Sequence, residues 1–307
     1  MVKTVSIDAE QVGQRIDNFL FKSLKGVPKS RIYRAIRGGE VRVNRKRTKP
    51  DYRLQLNDQI RIPPLAEEKI KVVKPRGEVI QAIRDKIVYE DDELIVIDKP
   101  AGLPVHGGTG IGGGVIELLR LVRPELRFLE LIHRIDRETS GCLLIAKKRK
   151  TLLFWHQQLK NRKIYKQYIT LVKGEWLGGF RRVEAPLIKN ILSSGERLVK
   201  VSDDGKPATT IFRPLQKFKE MTLIEARPLT GRTHQIRVHL QHIGHPIAAD
   251  QKYGDTDFNQ QVRKLGLKRL FLHAYSMSYS EDQPSDKVFG LCVSLAPELK
   301  KLLESLN

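Results

Sequence analysis

From about residue 85, short apolar segments typical of strands alternate with amphipathic segments typical of helices. The strand-like segments are residues 93–100, 142–148, 165–176, 208–215, 221–229 and 287–295, and the helix-like ones are 114–122, 151–161, 233–243 and 297–306. Several strand-like segments are separated by links of hairpin length, which favours antiparallel neighbours over a doubly wound parallel sheet. The pattern therefore predicts an α+β domain built on a mixed, largely antiparallel sheet.

Positive charge is concentrated in the N-terminal quarter of the chain. Residues 1–75 carry 18 Lys and Arg against 8 Asp and Glu, and the whole 307-residue chain carries a net charge of +21. Such an excess favours a polyanionic partner, with nucleic acid ahead of anionic lipid. The alternative is a basic soluble protein without such a partner.

Two amphipathic helices and three short strand-like segments are predicted in this quarter. RIDNFLFKSLK places Ile16, Phe19, Leu20 and Leu24 on one helical face, and PKSRIYRAIRGG does the same with Ile32, Ala35 and Ile36. VRVN, YRLQL and QIRIPP follow as strand-like segments. Basic side chains with few acidic neighbours suit contacts with a phosphate backbone, and the candidates are Lys29, Arg31, Arg34, Arg37, Arg42, Arg45 and Lys46. The pattern resembles the S4 RNA-binding domain over about residues 13–63 and predicts a small α/β RNA-binding unit.

Residues 63–79 are rich in proline and mixed charge, which predicts a linker reaching to about residue 84. It would join a domain of residues 1–75 to a larger one of residues 85–307. Cys142 and Cys292 lie in apolar strand-like segments and are expected as buried thiols in a reducing compartment. With no signal-peptide pattern and no long apolar run, a cytoplasmic protein is expected, and we expect a monomer.

Two motifs have familiar interpretations that their context does not favour. Gly108, Gly110 and Gly113 form a GxGxxG pattern before a helix, but KPAGLPV separates them from the preceding strand, unlike a dinucleotide-binding turn. A loop whose backbone approaches a ligand is the better interpretation. Four clustered histidines lack thiolates or carboxylates at ligand spacing, so we expect no metal at His234, His239, His242 and His245.

Asp136, in the segment LIHRIDRETSGCLLIAKK, is the candidate catalytic residue. It lies between Arg134 and Arg137, just before a strand. Opposite charges lower the pKa of a carboxyl group, so an ionised Asp136 would serve as nucleophile or base rather than as proton donor. A turn-capping Asp is the structural alternative. A paired-carboxylate hydrolase is unsupported, because Glu138 is only ~6.5 Å along an extended chain from Asp136.

HRIDRETSG closely resembles the HRLDxxTSG motif of the RluA-type pseudouridine synthases, with Ile135 in place of Leu. Further segments resemble motifs of the same family in the same order, namely KPAGLPVH (99–106), KQYITLVKG (166–174), GRTHQIRVHL (231–240), HPIAADQKYG (245–254) and LFLHA (270–274). Together with the S4-like segment they span nearly the whole chain. VHGGTG, KNILSSGERLVKVSDDGKP and LFLHA are most similar to the RluC-like members, which modify 23S ribosomal RNA.

The resemblance implies roles for matching residues. Asp136 would be the catalytic aspartate, Arg237 would pair with it, and Tyr168 would stack on the uracil and could assist removal of the C5 proton. Arg134 would enter the RNA stack or hold a phosphate as the uridine flips out. Substrate-binding positions would further include Leu272, as an apolar wall, His234 and Lys99. Arg137 and Glu138 occupy variable positions of the motif and receive no role.

The implied reaction breaks the N1–C1′ bond of uridine and rejoins the base through C5. It involves no redox change, so we expect no cofactor. The carboxylate could act in either of two ways. It could attack or stabilise the sugar, or it could remove a proton to form a glycal, and both roles remain open. Two other functions also remain open: a non-catalytic RNA-binding or ribosome-assembly factor, in which Asp136 is structural, and an S4-bearing RNA methyltransferase.

Overall fold

A computed structural model describes residues 2–24, 26–65, 77–107, 113–191, 197–279 and 289–306. The chain divides into two compact units, Met1–Lys74 and Pro75–Asn307. Within the described ranges, no helix is both long and apolar enough to cross a membrane.

The first unit packs two helices against a four-stranded sheet. Its elements are β1 (Lys3–Ser6), α1 (Ile16–Ser23), α2 (Lys29–Arg37), β2 (Arg42–Val43), β3 (Lys46–Arg47) and β4 (Gln59–Ile62), with strand order β1-β4-β2-β3. All strand pairs are antiparallel. The predicted apolar faces of both helices are buried in one core with Val41, Leu54 and Ile60, except that Leu24 is only partly buried.

The predicted strand YRLQL is an irregular segment that ends in a turn at Leu56. Only Arg53 forms an isolated bridge, to Arg15. The buried carboxylate of Asp58 accepts hydrogen bonds from the Tyr52 hydroxyl at 3.0 Å and the Gln55 backbone N–H at 2.8 Å, which curls the segment around it. The backbone of YRLQL also bonds to the segment before α1, since the Leu54 carbonyl accepts from the Gly13 N–H at 2.7 Å and the Leu54 N–H donates to the Gln14 carbonyl at 2.9 Å.

The second unit is built on one large sheet. Its helices are α3 (Gly77–Arg84), α4 (Val115–Val122), α5 (Arg149–Lys160), α6 (Gln235–His242), α7 (Thr256–Lys264) and α8 (Pro297–Ser305). Its strands are β5 (Ile87–Glu90), β6 (Leu94–Lys99), β7 (Glu130–Leu131), β8 (Ser140–Ala146), β9 (Ile164–Lys173), β10 (Arg181–Glu184), β11 (Leu187–Ile191), β12 (Arg197–Val201), β13 (Thr209–Lys217), β14 (Met221–Pro228), β15 (Leu272–Tyr279) and β16 (Phe289–Cys292).

Ten of these strands form the sheet in the order β10-β13-β14-β9-β15-β8-β6-β5, with β16 beside β15 and β7 beside β8. Every pair in it is antiparallel except β8 with β15, where Ser140 faces His273 and Gly141 faces Ala274. Strands β11 and β12 form a separate hairpin. The predicted α+β class with a mixed, largely antiparallel sheet is confirmed.

Helices cover the sheet in three places. The centre of the largest core is β8, all seven residues of which are buried, and α4, α5 and β6 pack around it. Helices α7 and α8 pack near β9 and β14, and α6 packs over another part of β9. A strand covered on both faces needs a continuous apolar run, which CLLIA supplies.

Several sequence expectations differ from the structure. The predicted linker falls mainly on residues 66–76, outside the described ranges, but residues 77–84 form helix α3, whose Ile83 is buried against the largest core. Cys142 is buried, as predicted, but Cys292 is exposed because it lies on the short strand β16, which is covered less completely. Gly108 and Gly110 are also outside the described ranges.

Candidate active site

A cavity of about 330 Å³ opens beside the end of β9, a volume within the usual range for small-ligand sites. Six of the seven residues predicted to act on the substrate line it, and they are Asp136, Tyr168, Arg237, Arg134, Leu272 and His234. These residues come from the loop before β8, from β9, from β15 and from the beginning of α6. The structure therefore brings distant motifs of the sequence to one place.

The loop that carries Asp136 is held at two points just after this residue. Arg137 exchanges two hydrogen bonds with Gly102, since its carbonyl accepts from the Gly102 N–H at 2.9 Å and its Nε donates to the Gly102 carbonyl at 2.8 Å. Where β8 begins, the buried Ser140 hydroxyl lies 2.8 Å from Nδ1 of His273 and accepts from Arg269 at 2.9 Å. Rigid support of this kind fixes where a catalytic carboxylate lies.

Lys99, the seventh predicted residue, lies outside the cavity lining and supports this loop. Its side chain is 0% exposed, and Nζ donates to the carbonyls of Pro100, Leu103 and Arg137 at 2.8–2.9 Å. Burial lowers the pKa of Lys99 to about 7, although three carbonyl acceptors favour the ammonium form. The three bonds use every proton of the ammonium, so Lys99 is a positioning residue for the Asp136 loop.

The Asp136 carboxylate makes no hydrogen bond or ion pair to any residue in the described part of the chain. Neither Arg134 nor Arg137, the partners expected from the sequence, forms an ion pair with it. The Arg137 guanidinium turns to Gly102 and Glu138, and the Arg134 side chain is exposed at the cavity. The turn itself is closed by the Asp136 backbone carbonyl, which accepts from the Thr139 N–H at 3.2 Å, so the side chain is left facing the cavity.

Arg237 also has a different partner from the predicted Asp136. It lies in the first turn of α6, is almost fully buried, and makes two hydrogen bonds to Asp250 at 2.6 and 2.7 Å. Burial lowers the pKa of Arg237, but Asp250 and then Asp136 raise it, and it ends above its usual value. Arg237 and Asp136 therefore interact electrostatically, although they do not form the predicted ion pair. Asp250 is a site residue that the sequence reasoning missed, although it lies inside the quoted motif HPIAADQKYG.

Tyr168 and Leu272 form the apolar part of the cavity wall. Tyr168 lies on β9, facing Ala226 of β14 and Ala274 of β15 across the ladder, and Leu272 is buried at the beginning of β15. Burial, and secondarily Asp136, raises the pKa of Tyr168. The side chain is therefore a neutral phenol near neutral pH, which does not favour a role as proton acceptor.

His234 begins α6 in a left-handed conformation, with φ of 53°. Its Nδ1 lies 2.7 Å from the Tyr253 hydroxyl, which itself accepts from the Val199 backbone N–H at 3.0 Å. The hydroxyl proton is thus available for Nδ1, and the neutral tautomer of His234 carries its proton on Nε2. Burial lowers the pKa of His234, which favours this neutral form.

His133 is a lining residue to which the sequence reasoning assigned no role. Its Nε2 accepts from the Leu144 backbone N–H at 3.1 Å. Burial, with a smaller effect from Lys166, lowers the pKa of His133 to about 3. His133 is therefore neutral at physiological pH and ties the Asp136 loop to β8.

Of the four clustered histidines, His234, His239 and His245 have separate partners, and His242 is exposed. Nδ1 of His239 lies 3.0 Å from the Thr210 hydroxyl and its Nε2 lies 3.0 Å from the Ala185 carbonyl, while Nδ1 of His245 lies 2.9 Å from the Lys173 carbonyl. These contacts give the three partnered histidines a role in packing and hydrogen bonding.

The basic side chains predicted in the first unit lie on α2 and around the β2–β3 pair. Arg42 and Arg45 line one cavity together with Arg61, and Lys46 lines a different one. Exposed positions on α2 are Lys29, Arg34 and Arg37. Arg31 makes two hydrogen bonds to Glu40, at 2.8 and 2.9 Å, which partly compensate its charge.

Comparison with known proteins agrees with this geometry. Residues 93–242 match the RNA pseudouridylate synthase family, and residues 14–60 match the S4 domain. The ribosomal large subunit pseudouridine synthase C of Salmonella typhi is 52% identical over 310 aligned residues, which cover 100% of this chain and 97% of that protein. The protein of the same name from Escherichia coli (strain K12) is 50% identical with the same coverage.

A solved structure is also similar. Human RNA pseudouridylate synthase domain containing 4 has a TM-score of 0.61 and 26% sequence identity, over 75% of this chain and 95% of that one. Full-length identity of about half, with both domains matched in order, confirms the resemblance found in the motifs. The chain belongs to the RNA pseudouridylate synthase family.

Proposed function

We propose that this protein converts specific uridines of 23S ribosomal RNA to pseudouridine, with Asp136 as the reacting carboxylate. The observation that carries the proposal is the Asp136 side chain, which lines a nucleoside-sized cavity and has no partner among the described residues. A carboxylate that is held by a rigid loop and has no partner at a cavity is better suited to a catalytic role than to a structural one. The relatives named for the ribosomal large subunit, and the net charge of +21, support ribosomal RNA as substrate.

The reaction needs only groups that the chain itself supplies. The N1–C1′ bond breaks, the uracil turns, and a C5–C1′ bond forms; C5 loses a proton and N1 gains one, so no electrons are exchanged. Asp136 acts at the sugar, close to the positive charge of Arg237. Tyr168 offers its ring face to the uracil, and Leu272 closes the apolar side. Arg134, exposed at the cavity, fills the space left by the flipped nucleotide.

The first unit supplies general affinity for RNA through its exposed basic side chains. We expect the protein to work in the cytoplasm as a monomer and without a cofactor. The competing function is a non-catalytic RNA-binding factor, in which Asp136→Asn would change nothing.

The test is a pseudouridine assay on unmodified 23S ribosomal RNA by carbodiimide primer extension, without added cofactor. Wild type should give new stops, and Asp136→Asn should give none while still binding the RNA. Glu138→Gln is the matched control, because this exposed carboxylate belongs to the same loop. Stops from Asp136→Asn would refute its catalytic role, and the absence of stops from wild type would favour the binding factor.

A further inference from the structure

A second cavity, of about 420 Å³, adjoins the first and shares Lys166 and Pro228 with it. It forms where β14 separates from β9, because their pairing ends at Ala226 and Tyr168 while β15 continues along β9 to Ile164. In the described part of the chain, residues 164–167 therefore have a strand on one side only. The opening lies directly beside the catalytic cavity and is not used by the proposed mechanism.

The lining of this cavity is basic. It includes Arg162, Lys166 and Arg227, and no Asp or Glu among the described residues. Arg227 is paired with the buried Glu225, which reduces its free charge. Arg162 and Lys166 form no side-chain hydrogen bond or ion pair with described residues. A polyanion is the ligand that such a lining favours.

Lys166 has the most unusual environment of the three cations. Its side chain is half-buried on β9, and burial alone lowers the pKa of Lys166. A partly desolvated ammonium without an anionic partner is destabilising unless a ligand provides one. Because Lys166 lines both cavities, that anion would lie at the passage between them.

Tyr165 provides a flat apolar surface in the lining of the same cavity. Its side chain is 57% exposed, and Leu159 and Leu229 also line the cavity. An exposed aromatic ring and a cation that line one cavity are the combination on which a nucleic-acid base stacks while a phosphate is held.

We propose that the second cavity binds the nucleotide adjacent to the target uridine, with its base on Tyr165 and the connecting phosphate on Lys166. The inference rests on the proposed isomerisation of RNA. When the uridine leaves the stack to enter the first cavity, its neighbour loses a stacking partner. Tyr165 replaces that partner, and the phosphate between the two nucleotides meets the ammonium shared by the two cavities.

The test measures equilibrium binding of unmodified 23S ribosomal RNA to the full chain as a function of salt, in an Asp136→Asn background that prevents turnover. Tyr165→Ala should weaken binding about 5- to 150-fold, the usual effect of losing one base–aromatic stack, and Tyr165→Phe should restore it. Lys166→Met should reduce the slope of log K against log salt by about 0.7, and Lys166→Arg should keep it. Lys219→Met, an exposed lysine in the β13–β14 turn, is the control.

A loss of stability alone would not change the salt slope, so the slope separates a phosphate contact from a folding defect. An unchanged slope and affinity in Lys166→Met and Tyr165→Ala would overturn the subsite, whether or not wild type makes pseudouridine. If Lys166→Met and Tyr165→Ala bind RNA more weakly but wild type makes no pseudouridine, the proposed function is refuted while the second cavity is still an RNA-binding site.

A second measurement locates the base. Once the modified uridine is mapped, an oligonucleotide with an abasic neighbour should bind wild type more weakly than the intact one. Removing the neighbouring base should have little effect on binding to Tyr165→Ala, because removing the base and removing the ring abolish the same contact. Additive losses would overturn the assignment of the base to Tyr165.

Discussion

Asp250→Asn is expected to destabilise the second unit strongly. Asp250 is 1% exposed and accepts four hydrogen bonds, two from Arg237 at 2.6 and 2.7 Å and one each from the Lys252 and Tyr253 backbone N–H groups at 2.9 and 3.0 Å. Asn can replace one oxygen, but its NH₂ would face an Arg237 donor. Breaking a buried pair from one side costs about 3–5 kcal/mol. For a unit of this size, that lowers the melting temperature by roughly 6–20 °C.

The assay is thermal unfolding of the full chain by calorimetry. Asp255→Asn is the matched control: Asp255 pairs with Lys173 at 2.7 Å on the surface, and Asn can still cap α7 at this position. An exposed pair contributes only about 0–1 kcal/mol. If Asp250→Asn unfolds within a degree or two of Asp255→Asn, the buried pair does not stabilise the fold and the reasoning fails.

The same variant should change the response to acid. Arg237 and two backbone N–H groups outweigh burial and lower the pKa of Asp250 below its usual value. A carboxylate of this kind stabilises the fold above the ordinary carboxyl pKa, and the stabilisation is lost as the pH falls through the lowered value. Asp250→Asn should therefore remove part of the loss of stability seen in acid.

Three further predictions concern other buried groups. The pKa of His133 is about 3 in the fold and near 6.5 in the unfolded chain, so the free energy of unfolding should fall as the pH drops below 6.5, by at most roughly 1.4 kcal/mol per pH unit. His133→Gln should make this pH dependence weaker in urea titrations. Lys99→Met should lower kcat at least tenfold with little change in RNA affinity, because it loosens the Asp136 loop; equal kcat would contradict the positioning role. A thiol reagent should label Cys292 in the native protein and Cys142 only after unfolding, since Cys142 is buried and its pKa is raised to about 12.

The sequence was most informative where local periodicity decides the structure. Apolar spacing located α1, α2 and the core strands β6, β8 and β14, because each buries one face or both. It did not reveal β15, although the alternation in YSMSY is typical of a strand, because that pattern is short and polar on one side. This strand lies between β9 and β8 and supplies Leu272 to the site.

Pairings within the site were harder to predict than its members. The motifs named six of the lining residues, but proximity in a motif cannot specify whether Arg237 contacts Asp136 or Asp250. The partner of Arg237 depends on where the chain that follows α6 folds back against this helix and places Asp250. The second cavity was equally inaccessible, because it arises from the point at which β14 leaves β9, which no residue pattern marks.

The single parallel pair in the sheet has a consequence for how the chain folds. Ser140 and His273 are joined by a buried 2.8 Å contact, yet about 130 residues separate them, and Gly141 approaches so closely that a Cβ there would lie 2.3 Å from the Ala274 carbonyl oxygen. Contacts of such sequence separation carry a large loop-closure entropy and form late. During synthesis, the Asp136 loop therefore lacks its contact with His273, and the cavity lacks Leu272, until β15 has been made.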